Sequence, residues 1–483
     1  MKPHHDSTVP SPLKHHIEDR RRFLRNGTLG FAAAVQGLNA FADGGGLPLE
    51  RFPQYGPLRP IKDLNTGLEL LRLPKDFQYV SFGWRDDPLT IGGGPTPSTH
   101  DGMGVVDVDA NGIVTLIRNH ERRNPGTSIG PPEMSYDNSG RGGTTRLRFD
   151  SLAGVWLSSE VVLAGTAANC AGGVTPWGTW FTCEEEISGP PDGYDRTHGW
   201  IFEVPAFGAA NPIPLRDMGR FSHEAVAIDS VTGYVYETED DRYTSGFYRF
   251  RPREKGAVLA FASGGLLEML KVKDVQNADL QRINCGDTFE VEWVPIDDPR
   301  LGLQTGVGPY GSTDGQTTAA SGPFYQGHLE GGAQFRRLEG CWYDDFNRLI
   351  YFTDTEGGFS RQGAVWCYDP AAETLRAVFT SPSSFTLDNP DNIVVSPRGG
   401  ILLCEDGGQQ RERMHALTPA GQRTLFAQND IVLNGEVNGI SGNFRGSEWC
   451  GATFDPTGRW LFVNIQAPGV TFAITGPWRR GPL

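Results

Sequence analysis

Short apolar segments alternate with turns along most of the chain, and six pairs of segments follow one plan. In each pair an apolar stretch runs into a turn containing Asp, Asn or Gly and is followed by a second apolar stretch. Short strands joined by such turns are typical of β-hairpins. Four hairpins are clear and two fit more loosely; in chain order they span residues 104–116, 172–181, 225–236, 341–352, 393–403 and 452–463.

Further apolar segments follow some of the hairpins, as at 246–250 and 364–368. Hairpins that recur at intervals of roughly 50–70 residues, with outer strands between them, predict propeller blades. We therefore predict an all-β fold, a six-bladed β-propeller with inserted loops. The longest interval, at about 251–336, is predicted to be an insertion, in which residues 266–272 fit a strand or a short helix.

Composition agrees with a chain of many strands and turns and narrows the function. Sixty-three glycines and 34 prolines among 483 residues suit tight turns, and 11% aromatic residues allow a sizeable core. The formal net charge of −15 argues against a basic surface for nucleic acid. The seven cysteines form no CxxC pair and no regular spacing, so a disulfide scaffold is not expected.

The N-terminus has the features of an export signal. Two arginines, a variable residue, Phe-Leu and a basic residue are found at 20–25, and an uncharged stretch ends at Ala40-Phe41-Ala42. This pattern predicts a twin-arginine (Tat) signal peptide over residues 1–42, followed by a single propeller domain at 43–483. The expected location is the periplasm or the outside of the cell, with the Tat translocon as a transient partner. No later segment is apolar enough to predict stable membrane insertion.

Acidic residues flank the predicted hairpins on both sides. The loop entering a first strand and the loop leaving the second open on the same face of a blade, so these residues should gather around one mouth of the central channel. Any single acidic pair is better explained as turn or capping residues, but the arrangement recurs in six hairpins. Closely spaced carboxylates repel one another unless cations fill the space. The candidate metal ligands are Glu121, Cys170, Glu184, Glu185, Glu224, Glu239, Asp240, Glu339, Asp354, Glu356, Asp391, Glu405, Asp406 and Glu448.

Oxygen-rich clusters suit hard ions such as Ca²⁺, Mn²⁺ or Fe³⁺. Cys170, in a glycine-rich turn, would add one soft ligand and favours a transition metal beside the hard ions. Such a site fits a calcium-dependent propeller lactonase, which needs only three or four ligands and does not need Cys170. It also fits a non-catalytic periplasmic propeller whose calcium is structural.

Several long motifs resemble those of the PhoX-type alkaline phosphatases, over nearly the whole predicted mature chain. They include the runs at 118–121, 170–185, 219–225, 238–240, 293–298, 337–341, 388–392, 404–407 and 450–466. The resemblance implies phosphomonoester hydrolysis at a mixed cluster of Fe³⁺ and Ca²⁺, with a cysteine thiolate that falls on Cys170. The matching acids are Glu184, Glu185, Glu224, Glu239, Asp240, Glu339, Glu405 and Asp406.

A phosphorylated small molecule is an anion, so an acidic mouth needs cations to bind it. Arginine can complete such a site through paired hydrogen bonds to phosphate oxygens. Arg337 and Arg445 are the predicted phosphate clamp, because each lies two or three residues before a predicted first-strand acid.

Overall fold

The computed structural model describes residues 54–308, 310 and 318–483. The predicted signal peptide at 1–42 lies outside these residues. Strands dominate the described part of the chain, whose single α-helix is α1, Gly322–Leu329. Short 3₁₀ turns are found at Pro132–Met134, Pro190–Asp192, Arg216–Met218, Ala260–Ser263 and Trp478–Arg480.

Six antiparallel blades, named A to F in chain order, form the propeller, and blades C and D are joined in one nine-stranded sheet. Three strands come before them: β1 (Arg59–Lys62), β2 (Glu69–Leu73) and β3 (Gln78–Phe82). Blade A holds β4 (His100–Val108), β5 (Ile113–His120), β6 (Gly142–Asp150) and β7 (Val155–Thr166). Blade B holds β8 (Asn169–Val174), β9 (Thr179–Glu184) and β10 (Ile201–Pro205). Blade C holds β11 (His223–Ile228), β12 (Val235–Glu239), β13 (Phe247–Pro252) and β14 (Gly265–Val272).

The predicted insertion continues with β15 (Thr288–Pro295), β16 (Gln304–Thr305) and β17 (Ala319–Ala320) before α1. Blade D holds β18 (Leu338–Asp344), β19 (Leu349–Asp354), β20 (Ala364–Asp369) and β21 (Thr374–Thr380). Blade E holds β22 (Pro390–Val395), β23 (Ile401–Glu405), β24 (Arg413–Leu417) and β25 (Arg423–Asn429), and is followed by β26 (Val432–Asn434) and β27 (Ser441–Asn443). Blade F holds β28 (Trp449–Phe454), β29 (Trp460–Ile465) and β30 (Val470–Thr475).

The first strands of the blades form a closed inner ring. Each contacts the next in the order β4, β8, β11, β18, β22 and β28, and β28 returns to β4. The N-terminal segment closes the ring, because β3 pairs with β30 as the outer strand of blade F. Strand β2 pairs with β25 in blade E, and β15 joins the edges of blades C and D through β14 and β21. The prediction of an all-β, six-bladed propeller is confirmed, and the six predicted hairpins are the two inner strands of the six blades.

Apolar side chains fill the spaces between neighbouring blades. Phe247 of blade C stacks on Phe352 of blade D with ring centroids 4.2 Å apart. Phe149 of blade A packs edge-on against Trp460 and Phe462 of blade F. This burial of large aromatic surfaces stabilises the contacts between blades and fixes where their inner strands lie.

The register of the inner hairpins has a bulge near the start of the first strand in every blade. In blade C, for example, His223 pairs with Glu239 and Val226 with Glu237, so two residues of β11 face one of β12. The same break is found in the other five hairpins. A bulge redirects side chains and is common beside functional sites. Here it turns one side chain per blade toward the channel mouth.

Candidate metal centre

Six residues at these bulges form the inner ring of the mouth. In each blade the preceding residue of the first strand pairs with the last residue of the second strand, and the ring residue comes directly after it. All six ring residues are buried. Blade F differs because Cys450 itself pairs with Asn464, and the bulge falls on the next two residues, Gly451 and Ala452. Gly451 has a φ of 62°, and a Cβ there would lie 2.5 Å from the Asp101 carbonyl oxygen. In order from blade A to blade F, the inner ring is Asp101, Cys170, Glu224, Glu339, Asp391 and Cys450.

An outer ring is formed by the residue that follows each second strand. One hydrogen bond recurs in all six blades: the backbone N–H of this residue donates to the carbonyl of the residue two positions before the inner-ring residue. In blade B, for example, Glu185 N donates to Ala168 O over 3.0 Å. This repeated bond holds the two loops of each hairpin together at the mouth. The outer ring is Glu121, Glu185, Asp240, Thr355, Asp406 and Gln466.

Ligand atoms of the two rings lie close enough to share metal ions. Five groups of three residues each have their ligand atoms within 4.8 Å of one another, and each group shares a residue with the next. The chain of groups returns to its starting point, so it encircles the mouth. The groups are Asp101–Glu121–Cys170, Cys170–Glu185–Glu224, Glu224–Glu339–Asp391, Asp391–Asp406–Glu448 and Asp101–Glu448–Cys450.

Glu224 is a buried ring acid whose carboxylate has no hydrogen-bond partner. Its carboxylate is fully buried, and neither oxygen has a hydrogen-bond partner. Burial, followed by repulsion from Glu339 and Asp391, raises its pKa well above the usual value. A buried charge without a partner is costly, so the site favours either a proton or a cation at this position.

The same physical causes act on the other ring acids. Burial and then repulsion from Glu121 raise the pKa of Asp101, and burial and then Asp406 raise that of Asp391 to about 7. Burial first, and then Asp406, also raises the pKa of Glu448. The two thiols behave alike, since burial and then Asp101 raise the pKa of both Cys170 and Cys450. Cations in the mouth would reverse these shifts by favouring the ionised forms.

Two arginines already neutralise part of the negative charge of the ring. Arg123 contacts both Glu121, at 2.5 Å, and Glu185 through its Nη2. Arg337 donates hydrogen bonds to both carboxylate oxygens of Asp240, over 3.0 and 3.1 Å. Its Nη2 also lies 2.6 Å from Glu339 Oε1, where the two groups form an ion pair but the angles do not allow a hydrogen bond.

On the other side of the mouth the amide nitrogen of Gln466 lies within hydrogen-bond distance of three carboxylates. It lies 2.5 Å from a Glu448 oxygen, 2.7 Å from a Glu121 oxygen and 3.4 Å from an Asp101 oxygen. One amide group thus donates to three carboxylates there, without adding positive charge.

Nine of the 14 predicted ligands lie in or directly beside these rings. They are Glu121, Cys170, Glu185, Glu224, Asp240, Glu339, Asp391, Asp406 and Glu448. Glu448 stands two residues before the inner-ring position that the sequence reasoning gave it, and Cys450 occupies that position.

The structure does not bring the other five predicted ligands to the mouth groups, because protein partners hold them elsewhere. Glu184 accepts hydrogen bonds from His198 and from the backbone N–H groups of residues 167, 199 and 200. Glu405 is held by Arg413 and His415, and Glu356 by Arg336 and Arg242. The remaining two are Glu239, bonded to Tyr248, and Asp354, bonded to Trp366.

The two predicted clamp arginines also differ in position. Arg337 lies at the ring, as described above. Arg445 is partly exposed, and its Nε donates to Asn443 Oδ1 over 2.9 Å. Among the described residues Arg445 forms no ion pair with a ring acid, so of the two predicted clamp arginines Arg337 is the one placed to meet an anion in the mouth.

Sequence reasoning left five mouth residues out of the candidate site: the uncharged Thr355 and Gln466 of the outer ring, and Asp101, Cys450 and Arg123. Asp101 precedes a hairpin like the other ring residues, so its repeat position was a usable signal. Cys450 could have been found by aligning it with Cys170 two residues before the first apolar stretch of blade F. Arg123 carries no repeat signal, because only its contacts across the gap between blades A and B reveal its place.

Comparison with known protein families identifies the family of this chain. A family model described as alkaline phosphatase PhoX matches residues 157–469, which is more than half of the chain. This chain belongs to the PhoX alkaline phosphatase family. The PhoX match begins within blade A and ends in blade F, so it includes most of both rings. A search of curated proteins finds no match to this chain.

One solved structure supports the propeller fold over most of the chain. Pseudomonas fluorescens PhoX, in a complex with vanadate described as a transition state analogue, superposes with a TM-score of 0.63 at 17% identity over 89% of this chain and 99% of that one. A gluconolactonase from Xanthomonas campestris gives a TM-score of 0.41 at 13% identity over 87% and 98% of the two chains. No helix among the described residues is both long and apolar enough to cross a membrane.

Proposed function

We propose that this PhoX family member hydrolyses phosphomonoesters at a cluster of iron and calcium ions held by the two rings of the mouth. The observation that carries the proposal is Glu224, a member of the acidic inner ring whose two buried carboxylate oxygens lack hydrogen-bond partners. Family membership supports the phosphatase chemistry. The arrangement of carboxylates supports the need for cations.

The donor set fits such a cluster. Carboxylate oxygens on all sides suit hard ions such as Ca²⁺ and Fe³⁺, and two thiols add soft ligands on either side of Asp101. We assign Cys170 to iron because it belongs to two of the five ligand groups, with Glu121 in one and Glu224 in the other. When bound, the ions would supply positive charge to stabilise the phosphoryl group during hydrolysis.

The chain's own residues would orient the substrate. Arg337 presents a planar guanidinium at the edge of the ring, with its side chain 23% exposed. Its paired N–H groups now meet Asp240, and the same geometry matches two oxygens of a phosphate. Binding of metal ions by Asp240 and Glu339 would release the guanidinium for the phosphoryl oxygens. Deep burial of the inner ring would limit water access to the reacting group.

Export by the Tat route to the periplasm is part of the proposal. The supporting observation is the twin-arginine pattern at residues 20–25, which lies outside the described residues. Because the Tat route carries folded proteins, the cluster would be loaded before transport.

The test is hydrolysis of a chromogenic phosphomonoester by protein purified from a Tat-competent host, with iron and calcium measured on the same sample. We expect turnover together with iron and several calcium ions per chain. We also expect Cys170→Ser to lose iron and activity together, because it removes a thiolate from two ligand groups.

Three results would contradict the proposal or its parts. A fully loaded protein without phosphatase turnover would remove the phosphatase function and favour structural calcium. One calcium ion with hydrolysis of a lactone would favour the lactonase alternative. Iron and activity that both survive in Cys170→Ser would remove the assignment of that thiol.

A further inference from the structure

We propose that Arg123 is a second anion-binding arginine. Arg123 and Arg337 would hold the phosphoryl group from opposite sides of the part of the mouth that blades B and C form. This inference rests on the proposed function and adds a specificity-determining residue to it. Arg123 follows the outer-ring residue of blade A by two positions and lies outside the family motif at 118–121.

The two arginines flank one sector of the mouth. Arg123 reaches from blade A to Glu185, the outer-ring residue of blade B. Arg337 reaches from blade D to Asp240, the outer-ring residue of blade C. Glu185 and Asp240 interact with each other across the boundary between blades B and C. The guanidinium groups therefore stand on both sides of two adjoining carboxylates.

This sector also holds the residues that most need cations. Its inner-ring members are Cys170 and Glu224, which share a ligand group with Glu185. In blades D to F the outer ring has one acid, Asp406, between the neutral Thr355 and Gln466. Gln466 donates to Asp101, Glu121 and Glu448 without adding positive charge. Positive charge is thus concentrated on one side of the mouth, where an anion bound to metal ions would be held most strongly.

Exposure separates the roles of the two arginines. The Arg123 side chain is 48% exposed and that of Arg337 23%, whereas the Glu121 and Glu185 side chains beneath Arg123 are each 9% exposed. Arg123 therefore lies at the entrance, above the carboxylates that it contacts. An arriving phosphate would meet Arg123 before it reaches the buried ring.

Metal binding would change the partners of Arg123. Glu121 and Glu185 are the two acids that it contacts, and both belong to groups able to hold an ion beside Cys170. Once these carboxylates bind ions, their charge is shared and the guanidinium is available to another anion. Its planar fork then suits two phosphate oxygens, which an ammonium group cannot match in the same geometry.

The test measures binding of inorganic phosphate to metal-loaded protein by calorimetry, beside kcat and KM for a chromogenic phosphomonoester. Loss of a charge-assisted hydrogen bond should weaken phosphate binding and raise KM about 10- to 100-fold in Arg123→Met, with a smaller change in kcat. Arg123→Lys should fall between Arg123→Met and the parent. The matched control is Arg300→Met, because Arg300 makes a comparable ion pair with Asp217 on the outside of the propeller.

Metal content is measured on every variant and should equal that of the parent. Phosphate affinity and KM that stay unchanged in Arg123→Met would overturn the inference, while hydrolysis by the parent would leave the proposed function standing. Loss of metal ions in Arg123→Met would also overturn it, by showing that Arg123 only holds Glu121 and Glu185. Phosphate binding that depends on Arg123 in a parent protein without turnover would support the inference and remove the proposed function.

Discussion

Neighbouring acids in this chain have opposite environments. Glu405, the last residue of β23, contacts Arg413 and His415 and accepts a hydrogen bond from the backbone N–H of Asp388. Burial alone would raise the pKa of Glu405, but these partners favour the charged form and the pKa is lowered. The ring acid Asp391 of the same blade has its pKa raised to about 7 by burial and Asp406. The first acid completes its hydrogen bonds within the blade, and the second needs a cation from outside.

The difference arises from strand geometry. Successive residues of a strand point to opposite sides, so the last residue of a second strand turns into the blade and the next one turns to the mouth. The pairs 184/185, 239/240 and 405/406 all follow this rule, with the second member in the outer ring. Acids that stabilise the fold and acids placed for metal ions can therefore be adjacent in sequence.

The largest effect is expected for Glu224→Gln, which removes the ring acid without protein partners. Cluster loading should fail, and phosphatase activity should fall at least about 10³-fold, since bound metal ions supply several kcal/mol of transition-state stabilisation. The metal-free variant should be more stable than the metal-free parent at pH 8, because a neutral amide replaces a strained charge. Metal analysis, turnover and urea unfolding check these expectations; retained loading would show that Glu224 is not needed.

Glu405→Gln should have the opposite profile. Removing one member of a buried charged group leaves Arg413 and His415 without their partner and should cost about 3–5 kcal/mol of unfolding free energy. Activity per folded molecule should stay close to that of the parent, because the structure does not bring Glu405 to the mouth groups. Urea unfolding and turnover corrected for the folded fraction measure both. A stable variant that loses its metal ions would reverse the comparison.

The stability of the metal-free protein should fall as pH rises. A carboxyl whose pKa is raised in the folded state favours folding below its unfolded pKa, near 3.8 for Asp391, and this contribution is lost as pH rises through about 7. A shift of about three units corresponds to about 4 kcal/mol as an upper limit for this one group. Urea unfolding in chelator at pH 5 and pH 8 measures the loss. Addition of calcium and iron at pH 8 should restore stability; a flat profile would show that the ring acids are neutralised without metal ions.

The smallest effect is expected for Cys450→Ser. Cys450 belongs to one ligand group and Cys170 to two, and the Cys450 thiol also donates to the carbonyl of His100 over 3.1 Å. A hydroxyl can keep that hydrogen bond, so we expect about a tenfold loss in affinity for one metal ion and a fully folded protein. Metal titration beside Cys170→Ser makes the comparison. Equal losses in the two variants would show that the two thiols are equivalent.

The sequence by itself determined the architecture and the face on which the site lies. Six hairpins with a common plan require six blades, and antiparallel pairing brings the loops before and after each hairpin to one mouth. It also indicated Cys170, Glu224 and Arg337, since the repeat position or the family motif marked each of them. These inferences depend only on periodicity and local motifs, which the chain carries in linear order.

Only the tertiary structure decided which member of each acidic pair faces the mouth and which other residues join it. The bulges that direct Asp101 and Cys450 inward depend on strand register, and that register is set by pairing and by packing between blades. The contact of Arg123 with Glu185 joins residues of different blades, 62 positions apart in the chain. A side chain's direction and its partners across blades are properties of the folded ring, so the linear order of residues does not specify them.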